Sequence, residues 1–118
     1  MSEHTPEMER CIEICQECHE ICLRNVPHCL EKGGQHARPS HIRMLLDCAE
    51  ICETSANFMI RGSELHTETC RACSEVCQRC AKDCQLLGND PEMQQCADVC
   101  LRCAESCAQM AGALAHVR

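Results

Sequence analysis

CIEICQECHEIC, residues Cys11–Cys22, sets its thiols at spacings of four, three and four. The same spelling returns as CSEVCQRCAKDC from Cys73 to Cys84 and as CADVCLRCAESC from Cys96 to Cys107. A degraded copy, CAEICETSANFM from Cys48 to Met59, carries Ser55 and Met59 where the third and fourth thiols stand elsewhere. Self-similarity of this kind marks one structural unit used repeatedly. Alternating steps of four and three average about 3.5 residues, which holds every member on one stripe of a helix facing its neighbours.

The punctuation around the repeats predicts four long helices. Thr5-Pro6-Glu7 reads as an N-cap, a first-turn proline and an acid at the positive helix end. The first helix then runs to about Lys32, stops at Gly33-Gly34 and holds Pro27 as an expected kink. Pro39-Ser40 starts the second, which ends near Arg61 with Gly62 beyond it. Ser63 is the expected cap of the third, which ends before Gly88, and Asp90-Pro91-Glu92 opens the fourth. Short connections between long helices make neighbours antiparallel. The expected fold is all-α: an up-down-up-down four-helix bundle with a cysteine-lined core, one domain over residues 1–118.

The stripes carry the chemistry. The first is Cys11, Cys15, Cys18, Cys22, Asn25 and Cys29, reaching back to Met8 and His4. The second is His41, Leu45, Cys48, Cys52, Ser55 and Met59. The third is His66, Cys70, Cys73, Cys77, Cys80 and Cys84, and the fourth is Met93, Cys96, Cys100, Cys103, Cys107 and Met110. Ile12, Ile14, Ile21, Ile42, Ile51, Val76 and Val99 flank the seam and supply hydrophobic closure. With sixteen cysteines, one Phe and no Trp or Tyr in 118 residues, something other than aromatic packing fills the centre.

Charge and hydropathy narrow the function. A net charge of -7 and the lack of any basic run argue against nucleic acid. The N-terminal MSEHTPEMER has no apolar stretch typical of a secretory signal, and no segment is long and apolar enough for a membrane span. The expected compartment is the cytosol. There thiols stay reduced, and abundant Cys reads as metal binding before disulfides.

Five metal-free or metal-bound readings compete for the thiols. A bundle packs better with Leu and Ile than with oxidisable thiols, so simple core filling explains sixteen cysteines poorly. Neighbouring thiols one helical turn apart have parallel side-chain vectors, poorly aimed for a disulfide. Structural zinc uses closed tetrahedral sets, whereas these rows are continuous, although a zinc or cadmium buffer stays open as an alternative. C-x-x-x-C-x-x-C at Cys11-Cys15-Cys18 and Cys96-Cys100-Cys103 also matches an iron–sulfur spelling. Cluster-binding runs of that kind lie on loops and these lie in helix-forming sequence, so an iron–sulfur electron carrier is the second alternative. Cu(I) fits the layout best. It is soft, prefers thiolate and thioether, and accepts two or three ligands, so bridging thiolates give a capacity of about one ion per Cys.

The stripe ends add softer ligands. His4, Met8, Met59, His66 and Met110 gather at one end of the bundle, and His28, His36, His41, Met44 and Met93 at the other. The second end is the expected port, with His28, His36, His41 and Met93 as accessory ligands, because the Gly33-Gly34 loop there can move. His19 points off the stripe. Nothing in the chain reads as a nucleophile–base pair, so a non-enzymatic role is expected. Copper ions are the expected partner, supplied by a copper chaperone or a small thiol.

With its repeated C-x-x-x-C-x-x-C-x-x-x-C helices and near-absence of aromatics, nearly the whole chain resembles the bacterial copper storage proteins. The resemblance implies a bundle filled with thiolate-bound Cu(I), usually a homotetramer, with access through one end lined by Met or His. It also points to the cytosolic branch of that family. Ser55 and Met59 depart from the pattern and interrupt one patch of the array. Outer apolar residues Leu23, Leu30, Leu46 and Ile60 are consistent with a partner surface.

Overall fold

Thr5 opens helix α1 (Pro6–Lys32): its hydroxyl accepts a hydrogen bond from the Met8 N–H at 3.1 Å, with Pro6 in the first turn and Glu7 and Glu9 beside the positive end. The computed structural model describes residues 4–117, with side chains from 4 through 112. Pro27 lies inside α1 without ending it. The helix stops at Gly33, whose φ of 73° is readily adopted by glycine and whose N–H returns to the Cys29 carbonyl. A short 3-10 helix, Gly34–Ala37, follows before Pro39 starts α2 (Pro39–Ile60). The sequence punctuation predicts only a loop there.

Gly62, at φ 72°, turns the chain out of α2. The third helix, α3 (His66–Gln85), begins later than the Ser63 cap predicts and has no side-chain cap. The Ser63 hydroxyl is instead spent inside the turn, where it accepts from the Leu65 N–H at 3.1 Å. Asp90 then caps α4 (Pro91–Val117), its Oδ1 accepting from the Glu92 N–H at 3.0 Å.

The four helices form a bundle of 48 × 22 × 20 Å, in which α1 packs on α2 and α4, and α3 packs on α2 and α4. Among the described residues the backbones of diagonal helices stay apart. No strand occurs among the described residues. Small side chains let neighbours approach: Ala49, Ala56, Ala81, Ala97 and Ala104 are buried beside the seam. Polar ties to backbone carbonyls cross it as well. His19 Nδ1 donates to the Ala49 carbonyl at 2.8 Å, and the Ser74 hydroxyl donates to the Ala104 carbonyl at 2.8 Å.

All sixteen cysteines are buried on the axis, at 0–1% exposure. Ile12 and Val99 are buried with them, while Ile14, Ile21, Ile42, Ile51 and Val76 close the flanks, half-buried. Leu45 is the largest side chain wholly enclosed. In so narrow a core its methyl groups have few substitutes. Leu45→Ala is expected to destabilise the metal-free protein by about 2–5 kcal/mol, read by anaerobic denaturant unfolding. A loss much smaller than that would show that the core around Leu45 collapses onto the gap.

Candidate metal centre

The stripes meet as predicted, and their sulfur atoms form one continuous array. Cys107 Sγ lies 3.7 Å from Cys11 and 3.5 Å from Cys15. Cys103 continues it, 3.7 Å from Cys15, 3.8 Å from Cys52 and 4.0 Å from Cys73. Cys77 lies 3.6 Å from both Cys52 and Cys48. Cys100 lies 3.7 Å from Cys18, 3.8 Å from Cys48 and 4.0 Å from Cys22, which reaches Cys96 at 3.9 Å. The Cys48–Cys100 and Cys52–Cys103 contacts span α2 and α4, so sulfur bridges the diagonals that the backbones leave open.

These are non-bonded distances, and all sixteen thiols are free. Sets of four do form, each with its sulfurs within 4.8 Å of one another. They overlap, however. Cys18 and Cys48 stand in one set with Cys22 and Cys100, and in another with Cys52 and Cys77. Cys22 and Cys100 recur with Cys80 and Cys96, and Cys73 and Cys103 are shared by the sets containing Cys15 and Cys52. A single structural zinc closes on one tetrahedral set of four ligands. Ligands that belong to two sets at once suit ions that share bridging thiolates.

The port end is built from the ends of all four helices and the 3-10 turn. Cys29 Sγ lies 3.5 Å from His41 Nε2 and 3.8 Å from Met93 Sδ, and all three residues are fully buried. His41 Nδ1 donates to Asp83 Oδ2 at 2.7 Å, which leaves Nε2 as the acceptor facing the thiol. Arg38 holds the other oxygen of Asp83. A carboxylate behind a histidine in this way fixes its tautomer and raises its basicity as a ligand. His28 and His36 are placed differently. Both donate Nε2 to one oxygen of Asp90, at 2.7 and 2.8 Å, with their rings 6.2 Å apart. They meet at this carboxylate rather than at the thiols. Asn25, between Cys22 and Cys29 on the stripe, donates to the Ile21 carbonyl at 2.9 Å.

Asp83 and Asp90 are the functional residues that sequence reasoning missed. Asp90 read only as a helix cap, and it does both jobs: one oxygen caps α4 and the other clasps two histidines. Asp83 lies one residue off the thiol stripe, beside Cys84, with nothing in its spacing to single it out.

Burial opposes ionisation of Asp90, but the hydrogen bonds from His28, His36 and the Glu92 N–H outweigh it and hold the carboxyl well below its usual range. At Cys29 the balance goes the other way. Burial first, then the negative charge of Asp90, pushes Cys29 from an ordinary value of 9.0 up to about 11. Deeper in the array Cys52 and Cys100 are also raised, by neighbouring thiols (Cys103 and Cys18 respectively) and by burial. Hydrogen bonds from neighbouring thiols lower others, Cys18 and Cys73 among them, by way of Cys100 and Cys103, while burial opposes ionisation there too.

Those raised thiols set a pH dependence. Stability that the folded chain draws from keeping Cys29 neutral is complete below pH 9.0 and is lost as the pH rises through about 11. Anaerobic denaturant midpoints of the reduced, metal-free chain should fall across that window, and the fall should shrink in Cys29→Ala. Midpoints that stay level through it would contradict the placement of these thiols in a low-dielectric core.

Comparison with known proteins agrees with this geometry. The model of a family described as copper storage protein matches residues 4–112. The Nmul_A1745 protein of Nitrosospira multiformis has a crystal structure with a TM-score of 0.86 and 42% identity, covering 91% of this chain and 96% of that one. A Cu(I)-bound copper storage protein, BsCsp3, gives a TM-score of 0.82 at 34% identity, over 89% of this chain and 98% of that one. A cytosolic copper storage protein from Streptomyces lividans, solved with five coppers, gives 0.77 at 26% identity, over 90% and 92%. In the curated relative it matches, an uncharacterised cysteine-rich protein of Bacillus subtilis named YhjQ, the chain spans 62% of the length at 36% identity over 67 residues, 57% of this chain.

Proposed function

We propose that this chain, which belongs to the copper storage protein family, stores Cu(I) as many ions at once in its thiol core, about one per Cys across sixteen cysteines. One observation carries the reading: the sulfur quartets overlap along the axis, so thiols such as Cys18, Cys48, Cys100 and Cys103 each belong to more than one quartet. Soft, low-coordinate, thiolate-bridged Cu(I) uses such a row fully. An isolated iron–sulfur cluster or tetrahedral zinc uses four thiols and leaves the rest idle.

Charge supports the same conclusion. Each incoming Cu(I) displaces about one proton from a neutral thiol, so the buried core gains no net charge as it fills. A divalent ion at that stoichiometry leaves positive charge stranded in a low dielectric. The Cys29, His41 and Met93 cluster is the first soft-ligand group inside the histidine end, and it serves as the loading site there. Replacing the proton between Cys29 and His41 Nε2 with Cu(I) leaves both as ligands, with Asp83 steadying the ring. His28 and His36, on Asp90, form the rim of this port and act as accessory ligands when they leave the carboxylate.

The role is sequestration rather than catalysis. The cytosol is the proposed compartment, supported by the cytosolic Streptomyces relative and by sixteen unpaired thiols that need a reducing medium. No helix of the described residues is long and apolar enough to cross a membrane. Leu23, Leu30, Leu46 and Ile60 are 42–54% exposed on the outer faces of α1 and α2, and they are the proposed surface for a homotetramer. A copper chaperone or small thiol is the proposed donor.

Anaerobic Cu(I) titration of the reduced chain against a chromogenic Cu(I) chelator tests the reading. Binding should saturate near about sixteen ions, and Cys48→Ser/Cys52→Ser should lower capacity by about two, with helicity kept. Saturation at about one or two ions would end the storage reading, and a brown colour bleached by reductant would replace it with an iron–sulfur cluster.

A further inference from the structure

We infer that the cleft at the opposite end of the bundle is a second soft-cation site, giving the thiol array a door at both ends. The inference rests on the storage reading above. The cleft has a volume of about 300 Å³, lies between the start of α1 and the turn joining α2 to α3, and is lined by His4, Met8, Gly62, Ser63, Glu64 and His66.

Three features point to a soft metal ion as its occupant. The first is the tautomer of His66. Its Nδ1 lies 2.7 Å from the Ser63 carbonyl, which can only accept, so Nδ1 carries the proton and Nε2 of the neutral ring keeps its lone pair for a metal. The second is Met8, whose side chain lines the cleft and also packs against the core. The third lies just inside, where Met59 is fully buried with its thioether sulfur 3.8 Å from Cys70 Sγ. Ser55 Oγ lies 3.2 Å from the same thiol.

Ligand strength therefore rises inward along one path: imidazole and thioether at the cleft, a buried thioether at Met59, then the thiols from Cys70. A hydroxyl and a thioether replace two thiolates at this last layer, so an ion there is held less tightly than one deeper in the row. Weak outer ligands and strong inner ones make a route along which Cu(I) exchanges without being trapped at the mouth. The degraded repeat of α2 is then a working part of the array. The two ends also differ chemically: two rim histidines of the other end share one carboxylate, whereas here His4 meets Glu9 and His66 meets a backbone carbonyl.

The test uses the full reduced chain loaded with Cu(I), with release to excess chromogenic chelator followed anaerobically as a rate per bound ion. Met8→Leu/His66→Gln removes the soft ligands of this end, and His28→Gln/His36→Gln alters the other. With two parallel exits of similar weight, M8L/H66Q should slow release by about twofold, and the combined variant should be slower than either. Release from M8L/H66Q at the unaltered rate, with the whole slowing carried by H28Q/H36Q, would overturn the second door. Met8→Leu alone, judged by the same criterion, decides if the double variant loses helicity. Failure of the storage reading shows separately, as a low capacity in the unaltered chain before any rate is measured.

Discussion

Every other feature of this molecule follows from placing small, soft, buried thiols where a bundle normally places leucine. A thiol buries little apolar area, so the axis contributes less hydrophobic stabilisation than an aliphatic core of the same length. Closure has to come from elsewhere. Ile12, Val99 and Leu45 are buried beside the row, half-buried Ile and Val residues flank it, and buried alanines let the helices come close. The narrowness that results is what brings sulfurs within 4.8 Å in overlapping sets across both neighbours and diagonals. Packing and ligation are therefore one constraint. A wider core would be easier to fill with carbon and useless as a continuous ligand row.

The same burial governs the charge. A neutral S–H costs little in a low dielectric, whereas a thiolate costs much, and the raised pKa of Cys29, with burial as its first cause, expresses that difference. Exchange of a proton for a monovalent ion leaves this balance untouched, so filling the core need not unfold it. At the ends the chain spends its polar groups on orientation instead. Asp83 and Arg38 fix His41, Asp90 ties His28 to His36 while capping α4, and Ser63 both serves the turn before α3 and holds the His66 ring.

The thiol stripes were legible because their period is a property of the chain itself: the step of four and three admits one helical face and no strand. The breaks at Gly33, Gly62 and Pro91 were legible for a similar reason, since each acts locally through backbone conformation. What stayed hidden depends on tertiary approach. Asp83 becomes significant only when α3 brings it to His41 on α2, and Asp90 only when the 3-10 turn carries His36 to His28. The late start of α3 likewise reflects the competition of the Ser63 hydroxyl for a turn N–H, which its identity as a good cap does not reveal. His28 and His36 were recognised as an end cluster, but their pairing to a carboxylate could not be read from spacing.

The central claim is that copper sits among shared sulfurs. Copper K-edge X-ray absorption of the fully loaded, reduced chain tests it most directly. Thiolate-bridged copper gives a Cu(I) edge, a first shell made almost wholly of sulfur, and a copper–copper scattering shell from ions bridged by common thiolates. A first shell dominated by nitrogen or oxygen, or sulfur-bound copper with no copper neighbour, would contradict it.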